Sequence, residues 1–151
     1  MPQRGVIAMY KGKYVHTIDA KGRLIVPSKF RDQLGDTFVV TKGADGCLNI
    51  YDDEGWKAFE ETLKEMPMNR KEVRQVARFF LSGAADVEVD KLGRILIPQD
   101  LRDYAGLEND VILTGMADKI EIWSKERFEA ASEDQDIADT LEKMADWGIR
   151  I

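Results

Sequence analysis

Arg23 follows Asp19 by four residues and Gly22 by one, and Arg94 follows Asp90 and Gly93 at the same intervals. A guanidinium carries its donors in a planar fork, which suits a phosphate or the O6/N7 edge of guanine. Asp and Gly at these intervals build a tight turn, because the carboxylate accepts from backbone amides just ahead and Gly supplies a positive φ. Such a turn presents the Arg at a rim, while the Asp steadies the fork and repels misdocked phosphates. A single D-x-x-G-R reads better as an ordinary turn with a local ion pair. Two copies, each in a strand–turn–strand frame, make it a candidate site. Lys11, Lys13, Lys21 and Lys29 surround the first copy and suit phosphate contacts, which supply affinity with little sequence information.

Other chemistry-bearing residues are sparse. His16 is the only histidine and has no Ser or Cys nucleophile beside it, and Cys47 is the only cysteine. Neither has metal-ligand spacing, and one cysteine forms no internal disulfide, which fits a reducing compartment. There is no P-loop, G-x-G-x-x-G or H-E-x-x-H pattern. The chain therefore reads as no enzyme, with no cofactor. No apolar run is long enough to span a bilayer, so no membrane association is expected and the default location is the cytoplasm.

The elements that position the two Arg turns are themselves duplicated. Residues 19–35 (DAKGRLIVPSKFRDQLG) and 90–106 (DKLGRILIPQDLRDYAG) match at one offset (90 − 19 = 71). They share Asp19/Asp90, Gly22/Gly93, Arg23/Arg94, Pro27/Pro98, Arg31/Arg102, Asp32/Asp103 and Gly35/Gly106. An internal repeat fixes the building block before its details are read. The block is a strand (Tyr14–Ile18; Asp86–Val89), the turn, a short strand (Leu24–Val26; Ile95–Ile97), Pro, and a short helix closed by Gly. A hairpin follows, Phe38–Thr41 with Leu48–Tyr51 and Val111–Thr114 with Ile120–Trp123, the offset becoming 72 after Gly106. Ser28 is the expected cap of the first short helix. Between the copies, Trp56, Phe59, Leu63 and Met66 have helical spacing. Asn69 and Glu72 suggest a capping box for a second helix bearing Val73, Val76, Ala77, Phe80 and Leu81. Ile137, Ala138, Leu141, Met144 and Ala145 form a last amphipathic stripe.

Net charge is −6, which alone argues against a polyanionic partner, but its distribution is uneven. Met9–Arg31 carries six basic residues against one acid, whereas Ala85–Asp110 carries three against seven and Lys125–Trp147 three against eight. Local field governs steering more than the sum. Read along the chain, this favours Arg23 over Arg94 as the dominant anion contact.

The paired D-x-x-G-R motifs, the segment RFFLSGA between them and the stretch from Met9 onward closely resemble the MraZ family, bacterial regulators built from two SpoVT/AbrB-like half-domains. The resemblance implies an α+β fold: a swapped-hairpin AbrB-like β-barrel made from two pseudo-symmetric repeats, with appended helices. On that basis residues 1–8 are a leader or alternative-start extension, 14–56 and 85–128 the two repeats, 57–83 connecting helices, and 129–151 a C-terminal helix. It also implies a homo-oligomeric ring and DNA contact through Asp19, Arg23, Asp90 and Arg94. The expected function is sequence-specific transcriptional regulation of the cell-division and cell-wall gene cluster that includes its own gene. The expected partner is double-stranded DNA carrying direct repeats, and the expected location is the cytoplasm at the nucleoid. An antitoxin-like module or a ring-forming scaffold is the alternative; the second complete repeat stands where an antitoxin would carry an acidic, toxin-wrapping tail.

Overall fold

The computed structural model describes residues 9–133 and 135–151, so the leader, residues 1–8, lies outside the described residues. The chain is α+β. The first copy comprises β1 (Lys13–Thr17), β2 (Arg23–Ile25), α1 (Ser28–Leu34), β3 (Thr37–Lys42) and β4 (Leu48–Tyr51). Helices α2 (Asp53–Lys64) and α3 (Lys71–Ser82) follow. The second copy comprises β5 (Ala85–Glu88), β6 (Arg94–Leu96), α4 (Gln99–Ala105), β7 (Asp110–Gly115) and β8 (Ile120–Ser124). Helices α5 (Lys125–Glu133) and α6 (Ile137–Asp146) share the C-terminal region expected to hold one helix.

The copies exchange strands. One six-stranded sheet runs β1-β7-β8-β4-β3-β5, and a two-stranded ribbon joins β2 to β6, all antiparallel. The first strand of each copy thus pairs with the third strand of the other. Among the described residues no ladder joins β1 to β5, so the sheet is open at those two edges. The pairing is pseudo-twofold: Arg23 faces Leu96 while Ile25 faces Arg94, and Leu48 faces Ile122 while Ile50 faces Ile120. It also corrects the offset after Gly106. His16 pairs with Val111 and Val87 with Phe38, so β3 and β7 correspond at 73 (111 − 38), whereas β4 and β8 correspond at 72. Apolar residues at either register hid the extra step.

The core sits where the copies interlock. Leu24/Ile95, Val26/Ile97, Phe30/Leu101 and Leu34/Ala105 are buried in repeat-related pairs, and each large member contributes about 1.5–3 kcal/mol by leaving water. Alternation explains the ribbon: Leu24 and Ile95 point inward, while their neighbours stay accessible. Pro27 and Pro98, lacking an N–H, end its ladder and precede α1 and α4. Gly35 ends α1 with φ +82°. Two expected caps are corrected. Ser28 is the first residue of α1, with Pro27 at the cap position, and Arg70 rather than Asn69 precedes α3; neither cap position makes a side-chain bond. In both cases the first-turn amides begin one residue away from the side chain meant to cap them.

Aromatic packing ties the helices to the sheet in both copies. Tyr51 meets Trp56 with ring centroids 5.8 Å apart, and Trp123 meets Phe128 at the same separation. Helix α6 differs: Asp136 caps it by accepting from the Asp139 amide at 3.1 Å, but none of its residues is buried. Ile137, Leu141 and the following Trp147 are exposed. Among the described residues no helix is long and apolar enough to cross a membrane.

Candidate nucleic-acid interface

Both Arg turns fold by the same local bonds. Asp19 Oδ1 accepts from the amides of Lys21 and Arg23 at 3.0 and 2.9 Å, and Asp90 Oδ1 accepts from those of Leu92 and Arg94, both at 2.9 Å. The Gly22 amide closes onto Asp19 O and the Gly93 amide onto Asp90 O, both at 3.0 Å. Gly22 and Gly93 adopt φ +90° and +79°, a region costly to residues with a β-carbon. The other carboxylate oxygen accepts from the guanidinium: Arg23 Nε reaches Asp19 Oδ2 at 2.6 Å, and Arg94 Nε reaches Asp90 Oδ2 at 2.9 Å. Asp19 is held below the usual carboxylate range, first by the Arg23 amide, against some desolvation, and then by the Arg23 side chain. Asp90 is lowered in the same way by Arg94.

Each guanidinium is therefore gripped at Nε. Among the described residues nothing takes the two Nη nitrogens of either Arg, and the side chains keep 38% and 27% exposure. Two unpartnered nitrogens in one plane, on a partly exposed side chain, are what bidentate recognition of guanine or phosphate requires.

The ribbon brings the two forks together. Arg23, Ile25, Arg94 and Leu96 alternate with the buried Leu24 and Ile95, so they share its outward face. Arg23 and Arg94 are diagonal neighbours there, roughly 7–8 Å apart. Ile25 and Leu96 are 42% and 58% exposed, giving an Arg–apolar checkerboard. A two-stranded ribbon of this width enters the major groove of B-form DNA, where apolar side chains meet thymine methyl groups. Ile25 and Leu96 were not singled out from sequence, where they read as strand core; only the ladder shows which alternate faces out.

The lysines are distributed differently. Lys21 is exposed within the first turn. Lys11 and Lys29, both exposed, line one shallow cleft of about 350 Å³ beside Tyr14 and Phe30. Lys13 begins β1, ~13 Å along the strand from Thr17, and its Nζ sits 5.6 Å over the Phe128 ring, away from the turn. Strand exchange also redistributes charge. Ile25, opposite Arg94, leads into α1 with Lys29, whereas Leu96, opposite Arg23, leads into α4 with Asp100. Thr17, just before the first turn, pairs with Asp110 of the second copy. The charge contrast along the sequence is thus mixed in space.

Arg31 and Arg102 stand behind the turns. Arg31 Nε donates to Val26 O and Arg102 Nε to Ile97 O, both at 2.9 Å. Their repeat identity was legible in sequence; that each reaches the other copy's turn was not.

A family model described as "MraZ protein, putative antitoxin-like" matches residues 9–79 and again 80–146. The chain is 56% identical over 141 residues to the transcriptional regulator MraZ of Lachnoclostridium phytofermentans, covering 93% of this chain and 99% of that one. It is 51% identical over 143 residues to the protein of that name from Acetivibrio thermocellus, covering 93% and 100%. It is 53% identical over 130 residues to that from Thermoanaerobacter pseudethanolicus, covering 86% and 91%.

Proposed function

The chain belongs to the MraZ family, and from that premise and the ribbon's geometry we propose that it is a DNA-binding transcriptional regulator that reads double-stranded DNA through Arg23 and Arg94. One observation carries the reading: two guanidinium groups, each gripped at Nε by its own Asp, share one ribbon face with their outer nitrogens unpartnered. Asp19 and Asp90 orient the forks. Lys21 lies nearest and takes a flanking phosphate; Lys11 and Lys29 take phosphates further along, and Lys13 is the weakest of the four because Phe128 holds it. The role is recognition rather than catalysis.

The exchange of β1 and β5 between copies supports a swapped-hairpin barrel, with repeats 14–56 and 85–128, connecting helices 57–83 and a helical C-terminal segment 129–151. The unburied apolar face of α6 supports a homo-oligomer. A head-to-tail contact that closes gives a ring, which presents the ribbon in one sense at successive sites. The operator is then a set of direct repeats about one helical turn, ~10 bp, apart, in the DNA upstream of this protein's own gene within the cell-division and cell-wall cluster. The protein works in the cytoplasm at the nucleoid.

Titrating that DNA and random DNA of equal length across salt tests the reading. A regulator binds steeply with falling salt and prefers the promoter at every concentration. Equal affinity for both, or no binding, overturns it in favour of an antitoxin-like or scaffolding ring.

A further inference from the structure

The turn that presents each guanidinium is held by the opposite copy. The Ile97 amide of the second copy donates to Gly22 O at 2.8 Å, and the Val26 amide of the first donates to Gly93 O at 3.0 Å. The long side chains cross in the same sense. Arg102 on α4, fixed by Nε to Ile97 O, lies so close to Gly22 that a β-carbon there would sit 2.6 Å from its Nε and 2.7 Å from its Cζ. Arg31 on α1, fixed by Nε to Val26 O, covers Gly93, where a β-carbon would sit 2.9 Å from its Cζ and Nη1. Both glycines are buried in these contacts, and both have positive φ.

We propose that Arg102 is the positioning residue for the Arg23 fork and Arg31 the positioning residue for the Arg94 fork, so that each copy sets the DNA-reading geometry of the other. Gly22 immediately precedes Arg23 and Gly93 immediately precedes Arg94. A guanidinium packed against the glycine and pinned by its own Nε hydrogen bond fixes the peptide that carries the reading residue. A planar, always-charged fork does this where a flexible ammonium does not, since it offers a flat face and a bond-making edge together. Nε is spent on the strand-end carbonyl while the same guanidinium fills the space beside the glycine, two roles that a lysine, with one nitrogen at the end of a flexible stem, does not combine. Recognition depends on holding the reading group within ~0.5 Å of its productive position, so loss of the brace weakens binding even though Arg102 and Arg31 touch no base. The crossing also couples the two forks: disturbing one copy's helix is felt at the partner copy's turn.

This inference rests on the DNA reading above, and its test separates the two. Arg102→Gln, Arg102→Lys and Arg31→Gln are prepared as full-length proteins, with thermal melts confirming the fold. Amide exchange is first measured without DNA. Arg102→Gln and Arg102→Lys accelerate exchange at Lys21 and Arg23 and leave Leu92 and Arg94 unchanged; Arg31→Gln does the reverse. Affinity for the upstream promoter fragment then falls about tenfold in Arg102→Gln, a coupling of the size seen between contacting residues. That loss disappears in an Arg23→Ala background and persists in an Arg94→Ala background, read at salt low enough for both to bind. Exchange rising equally at both turns, or an Arg102→Gln loss that is the same in the two backgrounds, overturns the proposal. Unchanged affinity in both Arg23→Ala and Arg94→Ala overturns the DNA reading instead, while the crossed exchange pattern still decides the brace.

Discussion

Asp19 gives its turn a titratable latch. Its ionised form accepts two backbone amides and the Arg23 Nε, so the fold binds the carboxylate more tightly than the unfolded chain does. A carboxyl whose folded pKa is depressed contributes stability that is complete above its unfolded value and lost as pH falls through the folded one. The window therefore lies below the ordinary value of 3.8: amide shifts of Lys21 and Arg23 should hold steady through pH 5 and move with a midpoint below 3.8. A midpoint at or above 3.8 would mean the latch is open in solution. The two forks themselves should behave alike. On one ribbon face roughly 7–8 Å apart, they share nearly a Debye length, ~8 Å at physiological salt, and thus much the same field. Arg23→Ala and Arg94→Ala should each cost ~1–3 kcal/mol per contact and match within about threefold in promoter affinity; a tenfold gap in folded protein would restore the contrast along the sequence. The D-x-x-G-R spacing made the forks legible from sequence. Their shared face was not, because Ile25 and Leu96 look apolar enough for core and only their pairing with Arg94 and Arg23 turns them outward.

At the scale of elements, the two-strand ribbon is short and depends on its glycines. Gly35 and Gly22 both have positive φ, yet a β-carbon at Gly35 meets nothing within 4 Å while one at Gly22 would sit 2.8 Å from Ile97 O. Gly35→Ala therefore carries only conformational strain, roughly 1–3 kcal/mol for a backbone region essentially confined to glycine (φ +82°, ψ −166°). Gly22→Ala adds overlap with the backbone of β6's continuation and with Arg102, and should cost roughly 1–3 kcal/mol beyond its own strain. Urea unfolding of the two variants checks this; equal midpoints would mean the copies separate at the turn without strain. Most strands and hairpins were legible, since alternation and Gly-rich turns mark them locally. Which strand pairs with which was not, because β1 could bond its own copy's neighbour by pattern alone; exchange is a property of long-range ladders. The caps failed for a local reason: Pro27 already fixes the entry to α1, so Ser28 falls inside the helix.

For the molecule as a whole, the question is what covers α6. Its stripe was plain in the sequence, but periodicity records only that a face is apolar, not what it meets. The fold leaves Ile137, Leu141 and Trp147 exposed, so charging that face should leave the protomer intact while removing whatever contact it makes between copies. Ile137→Asp with Leu141→Asp should keep the wild-type melting curve at low concentration, because neither side chain is buried in the core. Light scattering should show a mass reduced toward the protomer. Promoter affinity should then fall far more than any local change explains. An assembly holding several ribbons on successive repeats gains 10²–10⁴ in avidity without any new contact, and that gain vanishes when the copies part. Affinity for a fragment carrying a single repeat should hardly change, since one ribbon reads it either way. An unchanged mass would place the oligomer contact elsewhere on the surface. A reduced mass with full affinity for the multi-repeat promoter would mean that one protomer reads the operator alone, and the direct-repeat geometry would lose its physical basis.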